Sequence, residues 1–434
     1  MDCVDHSNVP RPCVKIPEKW QSAYGILIGW SLLYTNSTTT HTTLTMVYVN
    51  AKNYFCDSII NNTDRVLSAL IKYHGLSIIA VFLLAIGLFH VALKVVSYVA
   101  VLLDVFVLPP TNYLPYGSQR GAWAVVTGAS DGIGKEYARQ LGLRGFNVFL
   151  ISRTESKLRE LAQEIAEKSK VETKFLAIDV STDSPQNYKD IETVLETIPS
   201  VSILINNVGL SHSIPTPFLE TPPAELHNII AINNLATLKI TQLIAPKIVE
   251  SVKEARATKK FQKGLILTMG SFGGLLPTPL LATYSGSKAF LQHWSNALAV
   301  ELAPEHVDVE LVVSYLVTSA MSKVRKTSAL IPNPKQFVTA TLSSVGRAGG
   351  AQEKFATSTP YWSHALLHWW IAQTVGVFSK LVAGFNYKMH VDIRKRALKK
   401  QARQAAGGVA DPKNTTAARE GYATESLKNE TLKH

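Results

Sequence analysis

The chain has 434 residues, 46% of them hydrophobic and 18% charged, with 44 Lys and Arg against 32 Asp and Glu for a net charge of +12. That hydrophobic content excludes a largely disordered chain, and the length suits one large α/β domain with additions or two to three domains. Its three cysteines, Cys3, Cys13 and Cys56, exclude a disulfide scaffold or a Cys-rich zinc module downstream; no metal site is expected, and the rest of the chain reads as facing a reducing compartment.

In chain order, residues 1–74 form an extension of unknown role. Tyr24–Tyr34 is apolar but too short to span a membrane, Thr35–Thr45 is Thr-rich, and Asn36 and Asn61 head Asn-x-Ser/Thr triplets that matter only in a lumen. Gly75–Leu93 then runs 19 residues without a charge, and a second apolar stretch follows Lys94, broken only by Asp104 and stopped by Pro109 and Pro110. This length crosses about 30 Å of hydrocarbon as a helix, so residues 75–110 are predicted to be a transmembrane segment. Lys and Arg are nearly balanced at its two ends, so charge does not set its orientation.

From Gly121 onward, apolar runs alternate with helix-period segments. The predicted strands are residues 122–128, 147–153, 173–180, 201–209, 264–271 and 307–316. Continuous apolar strands separated by amphipathic helices indicate a parallel sheet covered on both faces, a doubly wound α/β domain over residues 115–360. Beyond it, Phe355–Ser379 carries no Lys, Arg, Asp or Glu and holds an aromatic cluster of Tyr361, Trp362, Trp369, Trp370 and Phe378. It reads either as a membrane-interfacial or re-entrant helix pair or as a helix on the domain surface, and residues 361–390 are taken as membrane-proximal. Residues 391–434 hold ten Lys and Arg against five Asp and Glu. This basic tail suits an anionic leaflet or a solvated helix; its charge is not interleaved with aromatics, so nucleic acid is not expected as a partner.

The first strand ends in Thr127-Gly128-Ala129-Ser130-Asp131-Gly132-Ile133-Gly134, and a helix pattern follows at once. Glycines at this spacing allow a tight turn, close approach of backbone to a pyrophosphate, and close helix packing, with the helix N-terminus turned to the anion. The second strand ends at Ser152 and Arg153, where an acidic residue would hold the ribose hydroxyls of NAD; a guanidinium there suits a 2′-phosphate, so NADPH is expected. Asp179, after the third strand, is placed to meet the adenine. Asn207, after the fourth, is placed to bridge backbone strands or touch the ribose.

Ser271 ends the fifth strand, Tyr284 lies thirteen residues on, and Lys288 follows four later on the same helix face. Reduction of a ketone leaves an alkoxide that needs a hydrogen-bond donor and a proton. Tyr284 supplies the proton, Lys288 is expected to lower the phenol pKa and to bond the nicotinamide ribose, and Ser271 holds the substrate oxygen. Asn233 or Asn234 is placed to anchor a water relay to Lys288.

Together these motifs resemble the short-chain dehydrogenase/reductase superfamily. TGASDGIGKEYARQL, NNVGLSHSIPTPFLET, GLILTMGSFGGLLPTPLLATYSGSKAFLQ and SYLVTSAMSKVRK narrow the resemblance to its family of fungal very-long-chain 3-oxoacyl-CoA reductases. The resemblance implies a Rossmann-type doubly wound parallel sheet with an N-terminal transmembrane helix. It also implies NADPH-dependent reduction of a 3-oxoacyl-CoA in fatty acid elongation, at the endoplasmic reticulum membrane with the catalytic domain facing the cytosol, alongside other elongation enzymes. It assigns Tyr284, Lys288, Ser271 and Asn233 to catalysis, and places Val317 and Ser319 against the nicotinamide. The Pro-Gly usual in the superfamily after the sixth strand is replaced here by Ser314 and Tyr315. A steroid-type ketone reductase, and a catalytically silent membrane scaffold, are the alternatives.

Overall fold

The computed structural model describes residues 62–69 and 72–405. The readings made on residues 1–61, including the cysteines and the Asn triplets, and on 406–434 lie outside the described residues. Chain contacts divide the molecule into two units, Met1–His90 and Val91–His434.

In the first unit, residues 62–69 are helical and helix α1 (His74–Leu102) begins. Ile78, Val81, Phe82, Leu84 and Phe89 of α1 are all between 62 and 71% exposed. The most apolar window of Ser77–Val107 has a mean hydropathy of 2.5 and nothing buried. A soluble helix hides its apolar stripe, whereas this one is apolar all round, the composition of a helix solvated by lipid.

In the second unit, the last turns of α1 pack on the α/β domain. Trp369 Nε1 donates to Ser97 Oγ at 2.9 Å, and Tyr98 meets the Trp369 ring at 4.8 Å between centroids. A π-helical turn, Leu103–Val107, carries Asp104, whose carboxylate accepts from Gly349 N at 3.1 Å and Gln352 Nε2 at 3.3 Å. The one charge that breaks the second apolar stretch thus pins the chain to the domain.

The domain is a seven-stranded sheet, ordered β3-β2-β1-β4-β5-β6-β7, with every pairing parallel. Its strands are β1 (Trp123–Thr127), β2 (Asn147–Ser152), β3 (Thr173–Ala177), β4 (Val201–Asn206), β5 (Gly264–Met269), β6 (Val307–Val312) and β7 (Thr357–Ser358). All six predicted strands form, each somewhat shorter than predicted. β1, β4 and β5 are buried at every position, as a sheet covered on both faces requires. The helices between them are α2 (Gly132–Leu143), α3 (Glu155–Ser169), α4 (Pro185–Glu196), α5 (Pro223–Ile230), α6 (Ala236–Ala257), α7 (Ala282–Leu302) and α8 (Pro334–Ser343). Strand order reverses between β1 and β4, so the loops leaving these two strands part and open a crevice at their carboxyl ends.

Two helices close the domain. On α9 (Trp362–Gln373), the fully buried His368 bridges Thr359 Oγ1 at 2.7 Å and Glu353 Oε1 at 3.0 Å, while Trp370 stays exposed. Within Phe355–Ser379 this helix packs on the domain through His368 and through His364, whose Nε2 lies 3.0 Å from the Leu330 carbonyl. Helix α10 (Lys380–Ala405) carries the basic run.

Candidate active site

The loop after β1 depends on glycine at three points. Gly128 and Gly132 sit at φ of +65° and +56°, in the left-handed region where a side chain is strained. Gly134 has no room at all: a Cβ there would lie 2.2 Å from the Gly128 carbonyl oxygen and 2.4 Å from Asn207 Nδ2. α2 therefore starts directly under the turn. Asp131 caps it, accepting from Gly132 N at 2.7 Å. Ser130 and Ser152 share a hydrogen bond of 2.8 Å between their hydroxyls, tying this loop to the end of β2.

Across the crevice, Thr127 Oγ1 accepts from the backbone N–H of Asn207 and Val208 at 3.0 and 3.1 Å. Asn207 Nδ2 in turn donates to the carbonyls of Thr127 and Gly128. Of the two roles predicted for Asn207, the structure shows the strand bridge. Sequence reading passed over Thr127, which joins β1 to the β4 loop from the other side.

A cavity of about 480 Å³ occupies this crevice, lined among others by Gly128, Ser130, Asp131, Gly132, Ile133, Arg153, Asp179, Asn207 and Ser319. Asp179 also folds back on its own loop, its side chain accepting from Ser181 N at 2.9 Å. The turn fits a dinucleotide phosphate: its backbone is stripped of side chains at Gly128, Gly132 and Gly134, and the positive end of α2 points into the opening. Gly134 itself stands behind the lining. Val317 does not line this cavity; it lines a second one, of about 300 Å³, with Ser271, Tyr284 and Ser319. Ile133, Ser211, His212, Ser213, Ser319, Met321 and Lys323 line both, so the two cavities adjoin.

The predicted catalytic residues converge beside this junction. Ser271 Oγ accepts from Gly273 N at 3.0 Å, and Gly273 keeps the Tyr284 ring close: a Cβ there would be 3.0 Å from Tyr284 Cε1. Lys288 is buried and donates to the Met269 carbonyl at 2.8 Å. Behind it, a π-helical turn, Ala231–Leu235, separates α5 from α6; such turns re-aim side chains out of the regular helical register. Here Asn233 Oδ1 accepts from Leu210 N at 2.6 Å, and its Nδ2 donates to Leu210 O at 2.9 Å and Ser287 Oγ at 2.8 Å. Asn234 donates to the Ser287 carbonyl instead. Asn233 Oδ1 and Lys288 Nζ both approach Gly209, at 3.4 and 3.6 Å from where its Cβ would stand. Asn233, not Asn234, thus shares with the amine the space beside Gly209.

One electrostatic expectation is corrected. Burial pushes the Tyr284 phenol above its ordinary value, with a hydrogen bond from Ser271 pulling the other way. Burial outweighs the lowering predicted from Lys288, whose own amine it brings down to about 8 and which donates to a backbone carbonyl. Loss of water penalises both the phenolate and the ammonium, so Tyr284 rests as a neutral acid.

Sequence reading also missed much of the substrate-side wall. His212 is buried against Glu225, Nδ1 to Oε1 2.8 Å, and Ser213 N and Oγ bond the same carboxylate. These contacts, with a hydrogen bond from Lys323 to the Ser213 carbonyl, fix the loop shared by the two cavities. Helix α10 supplies Asn386, Met389, His390, Ile393 and Ala397 to the second cavity. Their helical pattern, at i, i+3, i+4, i+7 and i+11 from Asn386, was the available signal, hidden inside a helix that reads mainly as basic.

The short chain dehydrogenase family profile matches residues 122–329. A very-long-chain 3-oxoacyl-CoA reductase of Meyerozyma guilliermondii is 61% identical over 321 residues, 74% of this chain and 93% of that protein. The protein of the same name from Scheffersomyces stipitis is 62% identical over 323 residues, 74% and 92% of the two chains. Among solved structures, a short-chain dehydrogenase from Sphingobium yanoikuyae in complex with NADPH is 22% identical, with a TM-score of 0.46, over 69% of this chain and 99% of that one. The chain belongs to the short-chain dehydrogenase family, and within it to the group of very-long-chain 3-oxoacyl-CoA reductases.

Proposed function

We infer that the chain reduces very-long-chain 3-oxoacyl-CoA to 3-hydroxyacyl-CoA with NADPH. The observation that carries this reading is the meeting of Ser271, Tyr284 and Lys288 where a Gly-lined phosphate crevice adjoins a second, mainly apolar cavity. NADPH, when bound, supplies a hydride to C3 of the substrate. Ser271 holds the C3 oxygen as negative charge grows on it, and Tyr284 gives that oxygen its proton. Lys288 stabilises the phenolate that is left and passes on the replacing proton, with Asn233 holding the backbone and side chains around the amine. A phenol whose pKa is raised by burial suits this direction, because the acid is fully protonated before the hydride moves.

Arg153, lining the cavity just past β2, favours the 2′-phosphate of NADPH, since it stands where an acidic residue would favour NADH. Val317 and Ser319 are assigned to the junction where the nicotinamide meets the substrate. The apolar stretch Ser77–Val107 serves as a membrane anchor. The endoplasmic reticulum membrane, with the catalytic domain in the cytosol, suits both reactants: a very long acyl chain partitions into the bilayer and NADPH is cytosolic. The other elongation enzymes would take up the product. Protease added to intact microsomes should cleave within residues 115–390; protection would overturn this orientation.

The activity is tested with purified protein, NADPH deuterated at the transferred position, and a long-chain 3-oxoacyl-CoA, with a steroid ketone in parallel. Deuterium at C3 of a 3-hydroxyacyl-CoA is expected. Reduction of the steroid alone would overturn the reading.

A further inference from the structure

Helix α10 faces the substrate-side cavity with side chains of different chemistry. Met389, Ile393 and Ala397 are apolar. The amide nitrogen of Asn386 is already engaged, donating to Pro277 O at 3.0 Å and Thr278 Oγ1 at 3.1 Å. His390 is the exception. Its Nδ1 lies 2.8 Å from the Asn386 carbonyl. A carbonyl only accepts, so Nδ1 carries the proton. Burial holds His390 below its ordinary pKa, which leaves a neutral ring with a lone pair on Nε2. That nitrogen has no hydrogen-bond partner among the described residues, yet it is not sealed away by protein atoms as His212 Nε2 is. It presents an acceptor to the cavity that also holds Tyr284 and Ser271.

An acceptor in a mainly apolar cavity needs a donor. On a 3-oxoacyl thioester the ketone and the thioester carbonyl are acceptors only, and the acyl tail has no polar group. The first N–H met on going from the reacting carbon toward the carrier is the amide of the cysteamine unit, a few bonds beyond the sulfur. A steroid ketone has no N–H at all. We propose that His390 is a specificity residue, its Nε2 accepting the cysteamine amide N–H of an acyl-CoA while Tyr284 and Ser271 hold the ketone. This rests on the reductase reading of the same site and says which part of the substrate the C-terminal helix recognises.

The test uses three synthetic substrates sharing one 3-oxoacyl group: the N-acetylcysteamine thioester, its O-acetyl analogue with ester in place of amide, and a plain S-alkyl thioester. A single neutral hydrogen bond contributes roughly three- to tenfold in affinity. The wild-type protein should therefore favour the amide over its ester analogue by about that factor in KM. H390F should abolish this preference, and H390Q, which keeps an acceptor, should restore much of it. A histidine that only supports the helix would change all three substrates alike. An equal penalty on all three in H390F, or no amide preference in the wild type, would overturn the proposal while leaving the reductase reading intact. Failure of wild-type protein to reduce any of the three would overturn both.

Discussion

The two cavities of the cleft are built by different means. The cofactor side is made of backbone: glycines at 128, 132 and 134, the start of α2, and a strand bridge in which Thr127 and Asn207 satisfy each other's loops. The substrate side is made of side chains gathered from across the sequence, from Pro215 and Leu276 to Ile393 of α10. A backbone site tolerates almost no change in shape but accepts one ligand chemistry. A side-chain site can be retuned residue by residue.

Breaking the chemistry shared by both sides should give the largest effect. Lys288→Met should lower kcat by roughly 10²- to 10⁴-fold, the usual worth of a proton-transfer group, with a smaller loss of NADPH affinity, measured by fluorescence titration, from the missing bond to the nicotinamide ribose. Retained kcat would detach the amine from the reaction. Next comes Gly134→Val, aimed at the backbone side alone. Its Cβ would sit 2.2 Å from a carbonyl oxygen, so a lower melting temperature, a loss of roughly 1–3 kcal/mol, and loss of cofactor binding are expected. Ile393→Ala should do the reverse, raising KM for the acyl substrate and leaving cofactor binding untouched. If each variant damaged both ligands equally, the division of labour would be wrong.

Smaller effects sharpen the picture. Arg153→Asp should raise KM for NADPH by roughly tenfold or more and narrow the gap to NADH; an unchanged ratio would remove Arg153 from cofactor choice. Lys288 also leaves a mark on the free protein. It releases its proton from about 8 in the fold, against an ordinary 10.5. Between those values the unfolded chain binds more protons, so stability should rise with pH across that window. Chemical denaturation of both proteins should show the wild type gaining stability relative to Lys288→Met between pH 8 and pH 10, since the buried tyrosines, whose raised pKa values act in the opposite direction, are common to both.

The sequence made the backbone side readable because its rules are local. A strand, three glycines and a helix start within about twelve residues announce a phosphate turn, and all lie where they were expected. The Tyr284–Lys288 spacing was equally local. The misses have other causes. β7 is two residues long and carries no period to detect. The π-helical turn at Ala231–Leu235, which separates the tasks of Asn233 and Asn234, reads as ordinary helix. The Tyr284 pKa went the wrong way because proximity to Lys288 shows in the spacing, whereas the burial that outweighs it belongs to the fold. His390 lies 106 residues beyond Tyr284, in a segment whose charge draws the eye from the buried face.

The most direct test of the whole account is the rate of NADPH oxidation by purified protein on a long-chain 3-oxoacyl-CoA, wild type beside Tyr284→Phe. Steady turnover in the wild type and a fall of at least about a hundredfold in the variant, with the fold intact by circular dichroism, is the expected result. Equal rates in the two proteins would contradict it.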